Sequence, residues 1–189
     1  MTRLLFVAIA ALLPSAAFAH TGHPEQANFL AGLLHPFLGL DHLTAMVAVG
    51  VWSHLTRAGR VWLMPAVFVG AMIAGAGVAA YGIEIPAIEA LILASLVAVG
   101  LAILFRIAAP TLLGGGAIAL FAIAHGYAHG AEAPAGGGIG YMAGFSVATA
   151  LLHVSGIALA WIVSRTPAPL AARALGLVPI AVGVALAAR

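Results

Sequence analysis

The chain has 189 residues, 64% of them hydrophobic and 6% charged, with seven arginines, no lysine, five acids and a formal charge of +2. A soluble domain carries about a quarter charged residues, so this composition excludes a water-covered globule and points to a polytopic all-α membrane protein in a lipid bilayer. The few cations are scattered, which excludes a nucleic-acid partner, and the absence of cysteine excludes disulfides and thiolate ligands.

The first nineteen residues, "MTRLLFVAIAALLPSAAFA", read as a signal peptide. Arg3 forms the positive start, Leu4–Leu13 the apolar stretch, and Ala17-Phe18-Ala19 an A-x-A cleavage site. The alternative is an uncleaved first membrane helix. Cleavage would leave a mature chain that begins at His20 in the periplasm, with its body in a bacterial inner membrane. Residues 20–28 then form a short periplasmic segment, and 29–189 the membrane domain.

A membrane helix needs about 20 apolar residues, and six runs qualify: 29–52, 61–81, 86–106, 111–131, 139–163 and 170–188. Pro- and Gly-containing breaks separate them. Arg57 and Arg60 fall in the first break, Arg106 in the third, Arg165 and Arg173 in the fifth, whereas the second and fourth carry Glu84 and Glu132. The arginine-bearing side should be cytoplasmic, in agreement with an exported N-terminus. Gly140/Gly144 and Ala71/Gly75 are spaced for close helix approach. The glycine runs 114–116 and 136–138 lack the lysine and spacing of a phosphate loop and read as a helix start and a turn.

The chemistry lies in ionisable groups inside the apolar runs, which are rare and usually line a cavity. The first run contains "HPFLGLDH", with His35, Asp41 and His42; the fourth contains "AHGYAHGAE", with His125, His129 and Glu132. Residues four and three apart share a helix face, so His125, His129 and Glu132 form one compact set. By the same rule His35 and His42, seven apart, share a face that Met46 continues, and Asp41 sits about 100° round from His42, as a wall of the cavity or a hydrogen-bond acceptor for that ring. Pro36 either starts the helix or interrupts it. In the fifth run Met142, Ser146, Thr149 and His153 form a stripe with His153 deepest. Counting rise per residue puts the sets of the first and fourth runs at similar depth.

Neutral imidazoles with carboxylates and no thiolate suit a borderline divalent cation such as Ni²⁺, Co²⁺, Zn²⁺ or Cu²⁺. A lone membrane histidine, such as His153 or His54, also serves as an ordinary interhelical hydrogen bonder. Glu89, near the outer end of the third run, reads equally as a surface acid. His20 and His23 read either as metal capture at the entrance or as a polar tail.

"HPFLGLDH" and "AHGYAHGAE" together, in the first and fourth spans, resemble the HupE/UreJ family, and the resemblance covers essentially the whole chain. It implies a secondary permease for nickel, or cobalt, associated with hydrogenase or urease maturation. It also implies His35, Asp41, His42, His125, His129 and Glu132 as metal residues; the residues themselves add His20, His23, Glu89, Met46 and His153 as further candidates along the path. One departure is Ala124, where an aromatic residue is expected before His125; Phe121 stands one turn earlier. The implied protein has no catalytic residues, no bound cofactor and no ATPase subunit. The rival readings are a membrane metalloenzyme, disfavoured by the absence of HExxH, a haem-binding electron carrier with opposed histidine ligands, and a structural accessory subunit. Because both motifs open a three-helix half, an inverted repeat with the site at its interface is also expected.

Overall fold

A computed structural model describes residues 28–57, 59–133, 138–167 and 169–189. The segment 1–19 assigned to a leader, and His20 and His23, lie outside the described residues. Among the described residues the secondary structure is helical throughout: α1 (Phe29–Leu34), a 3-10 turn (His35–Phe37), α2 (Leu40–Thr56), α3 (Leu63–Ala80), α4 (Ile88–Leu104), α5 (Thr111–Glu132), α6 (Ile139–Ser164), α7 (Pro169–Ala174) and α8 (Leu177–Ala187).

Four helical stretches are long and apolar enough to cross a membrane: Leu63–Ala80, Thr111–Glu132, Ile139–Ser164, and Leu170–Ala187, which joins α7 to α8. A fifth candidate is α1 with α2, bent by 84° between Phe37 and Leu40. Helix α4, at 17 residues, is a shorter apolar helix, about 25 Å long at 1.5 Å per residue. Of the two outcomes left open at Pro36, the first run shows the interruption. Pro36 has no N–H to give and fits the start of the 3-10 turn. Gly39 then takes an extended conformation (φ −102°, ψ 118°) as the N-cap of α2. The chain is broken between the two histidines of its first motif, and irregular backbone at that depth is tolerated only where protein or a cavity covers it.

Helix pairing is set largely by glycine. α1 and α2 pack on α6, α3 on α5, and α4 on α8. A β-carbon on Gly32 or Gly144 would run into the backbone of α6 or α1, and one on Gly50 or Gly156 into that of α6 or α2. Gly144 thus carries the close approach expected of the Gly140/Gly144 pair. Gly75 and Gly126 similarly let α3 and α5 touch along their backbones. Numbered by the six apolar runs of the sequence, the first run therefore pairs with the fifth, the second with the fourth and the third with the sixth. Exchanging the two halves of the chain leaves those three pairings unchanged. The backbones of α2 and α5 barely approach one another. Between them lies the core, which includes Met46, Val49, Trp52, Met64, Phe68, Met72, Ile118 and Phe145.

The arginines of the first and third breaks meet at one end of the bundle. Arg57 Nη2 donates to Ala109 O at 2.5 Å and its Nη1 to Thr111 Oγ1 at 3.0 Å. Trp52 Nε1 donates to Ile107 O at 2.9 Å, and Arg106 Nη2 to Leu55 O at 3.3 Å. Hydrogen bonds from a charged donor contribute about 1.5–3 kcal/mol each. Arg57→Ala loses two such bonds and, at about 2–4 °C per kcal/mol for a chain of this size, should lower the thermal midpoint by roughly 6 °C or more. An unchanged midpoint would show that this fastening is not under load.

Candidate metal centre

α5 is one unbroken helix, so His125, His129 and Glu132 project from a single face in steps of four and three. Glu132 is at its end, with a side chain 59% exposed; His129 and His125 follow inward, both fully buried. His35, from the 3-10 turn, brings its Nε2 to 3.3 Å from Glu132 Oε2, with its side chain 26% exposed. His129 Nδ1 is 3.9 Å from the same oxygen. One ligand atom from each of His35, His129 and Glu132 lies within 4.8 Å of the others. Donors on one ion with bonds of about 2.0–2.1 Å stand roughly 3 Å apart, so small side-chain rotations would close this group on a cation.

A second tier lies deeper. The His42 ring meets His129 at 4.0 Å between centroids and His125 at 5.3 Å. His42 and His35 both reach His129, the latter at 4.8 Å, but not because seven residues return them to one helix face. The bend at Leu38–Gly39 breaks that periodicity and aims both rings at α5 instead. Asp41 sits in the first turn of α2, where its Oδ1 accepts from the His42 backbone N–H at 2.9 Å, a helix N-terminal site that favours a carboxylate. Its Oδ2 is 3.6 Å from His42 Nδ1. Gly39 makes room for this: a β-carbon there would lie 2.9 Å from Asp41 Oδ1.

The rings are held dry and under-bonded. His125 Nδ1 donates to Phe121 O at 2.8 Å; a carbonyl only accepts, so the neutral ring carries its lone pair on Nε2. That Nε2, both nitrogens of His129, and His42 Nδ1 are buried without a hydrogen-bond partner among the described residues. Unsatisfied buried polar groups cost about 1–3 kcal/mol each, a burden that hydrocarbon side chains would avoid.

The remaining candidates divide. Met46 is fully buried in the core, one turn along α2 from His42. His153 is buried on α6 away from the cluster and touches Phe68. Glu89 is exposed in the first turn of α4 and, among the described residues, makes no ion pair. The stripe expected on α6 is shifted by one residue at its outer end. Tyr141 and Phe145 are buried against His35 at 5.7 and 6.2 Å, and Phe145 against His129 at 4.0 Å. Met142 and Ser146 are only half-buried beside them. Phe68, Tyr141 and Phe145 were not visible as site residues in the sequence; aromatic residues in an apolar run carry no contrast. They supply the ring surface that Ala124 does not.

A helical membrane protein with imidazoles and a carboxylate gathered between its spans is the class these features define. Residues 7–186 match the family model described as HupE / UreJ protein. The chain is 40% identical over 149 residues to "Protein HupE" of Rhizobium leguminosarum bv. viciae, an alignment that covers 78% of each. The chain belongs to the HupE/UreJ family, a transport and accessory family. No solved structure matches it.

Proposed function

We propose that the protein is a secondary permease that carries a divalent transition-metal ion, Ni²⁺ first and Co²⁺ second, from periplasm to cytoplasm across a bacterial inner membrane. The observation that carries this reading is the convergence of His35, His129 and Glu132 at the surface-open end of a column of buried imidazoles that each keep a ring nitrogen without a hydrogen-bond partner among the described residues. An ion that sheds water gains ligands there, and the imidazoles gain the partner they lack. Residues 1–19 are removed as a leader, 20–28 form a periplasmic segment in which His20 and His23 collect metal, and 29–189 form six spans, with α4 and the bent α1–α2 pair each counted as one. Glu132 and His35 then face the periplasm and Arg57 and Arg106 the cytoplasm. The exchange symmetry of the helix pairing supports an inverted repeat, with the first and fourth spans meeting through their imidazoles.

Glu132, His35 and His129 take the ion first, and His42 and His125 receive it, with Asp41 supplying negative charge beside them. The sequence contains no nucleotide-binding motif, so the drive is the membrane potential, about 2.3 kcal/mol per charge per 100 mV, with cytoplasmic chelation. Uptake of radiolabelled Ni²⁺ and Co²⁺, in cells stripped of their own high-affinity systems, tests the reading. Wild type should accumulate metal, and Asp41→Ala and His42→Ala should not at matched expression. Wild-type cells that accumulate neither ion would refute it.

Protons compete with metal for imidazole lone pairs. Uptake should accordingly fall as the external medium is acidified. Uptake that rises on acidification would contradict this competition and indicate inward proton coupling.

A further inference from the structure

His153 repeats the arrangement of His125 at another place in the bundle. Its Nδ1 donates to the carbonyl of the residue four earlier, Thr149, at 2.6 Å. That bond fixes the tautomer and leaves the lone pair on Nε2. Nε2 is buried without a partner, in a residue 1% exposed. The two histidines are joined by one side chain: Phe68 of α3 touches His125 at 5.6 Å and His153 at 5.0 Å between ring centroids. Beside His153, the Thr149 hydroxyl donates to Phe145 O at 3.0 Å and lies 3.6 Å from the Met72 sulfur. Met72, like Phe68, faces the core from α3.

We propose that His153 is a second, inner binding position for the transported ion, one step beyond Phe68 from the outer cluster. The inference rests on the transport reading and adds a route to it. The two tiers before Phe68 have one carboxylate each, Glu132 in the outer and Asp41 in the deeper. The inner position has one imidazole and, among the described residues, no acid in contact. Such a donor set suits a borderline divalent cation but holds it weakly, and a path that must release its cargo needs a weaker site after a stronger one. Phe68, which touches both rings, is the side chain the ion passes on this route.

The test combines equilibrium Ni²⁺ binding to purified protein with radiolabelled Ni²⁺ uptake by cells. It compares wild type, His153→Leu and His153→Gln, the last keeping a buried polar group without an imidazole. Both variants should bind Ni²⁺ within about twofold of wild type and take it up at least tenfold more slowly. Wild-type uptake in either variant would overturn the inner position and leave the permease intact. Loss of binding together with uptake in both variants would assign His153 a structural role and overturn it equally. Should His153→Leu fail to fold, His153→Gln decides alone. Absence of uptake by wild type would remove the permease reading and the inner step with it.

Discussion

Replacing His129 with leucine should abolish metal uptake and, at the same time, stabilise the metal-free protein. His129 is the hub of the cluster: it touches His35, His42 and Phe145 and stands 3.9 Å from Glu132. Both of its ring nitrogens are buried without a hydrogen-bond partner. Leucine removes those two atoms at similar volume, and replacing an unsatisfied buried polar group by an apolar one should raise stability by about 1–3 kcal/mol. The same change disconnects the outer group from His42 and His125, so uptake should fall to background. In wild type, Ni²⁺ at about 100 times its dissociation constant should add roughly 2.7 kcal/mol; in His129→Leu it should add nothing. Thermal unfolding with and without metal, beside uptake, checks all three. A variant that is less stable without metal and still imports it would refute the role given to His129.

The second large effect is expected at a residue with no side chain. Gly126 lies between the two buried histidines of α5, and a β-carbon there would run into the backbone of Met72 on α3. No rotamer choice relieves a clash with backbone, so α5 must move away from α3. Overpacking costs about 1–3 kcal/mol, and more when only backbone can yield. Gly126→Ala should reduce folded yield sharply. In what protein remains it should weaken Ni²⁺ binding at least tenfold, because His125 and His129 move with the helix. By contrast, Gly116→Ala, at a position on α5 with open space around it, should be tolerated in both yield and binding. Equal behaviour of the two variants would mean that the α3–α5 contact does not set the site.

These two positions also mark what the sequence discloses and what it withholds. His129 was legible because an ionisable group in an apolar run stands out, and because α5 is an uninterrupted helix on which spacing translates directly into a face. His35 and His42 were legible as members of the site but not as to how they reach it. The 84° bend makes their seven-residue separation irrelevant, and Pro36 signalled only that a break was one of two outcomes. On α6 the contact follows the row Tyr141, Phe145, Thr149 and His153, each four residues on. Such i, i+4 ridges run obliquely to the helix axis, and a stripe drawn straight along the helix misses its aromatic end. Phe68 was invisible for a different reason: which of many apolar side chains touches two histidines at once depends on how α3 packs, and no spacing in the chain encodes that.

The central claim is that this chain alone moves a divalent metal through the His35–His129–Glu132 group. The most direct measurement is Ni²⁺ entry into liposomes that contain only the purified protein and a lumenal fluorescent chelator, with an inside-negative potential imposed. Wild type should quench or light the chelator at a rate that saturates with Ni²⁺, and His35→Ala combined with Glu132→Ala should bring that rate to the level of empty liposomes. Entry at the wild-type rate in the double variant, or no entry in wild type, would contradict the account.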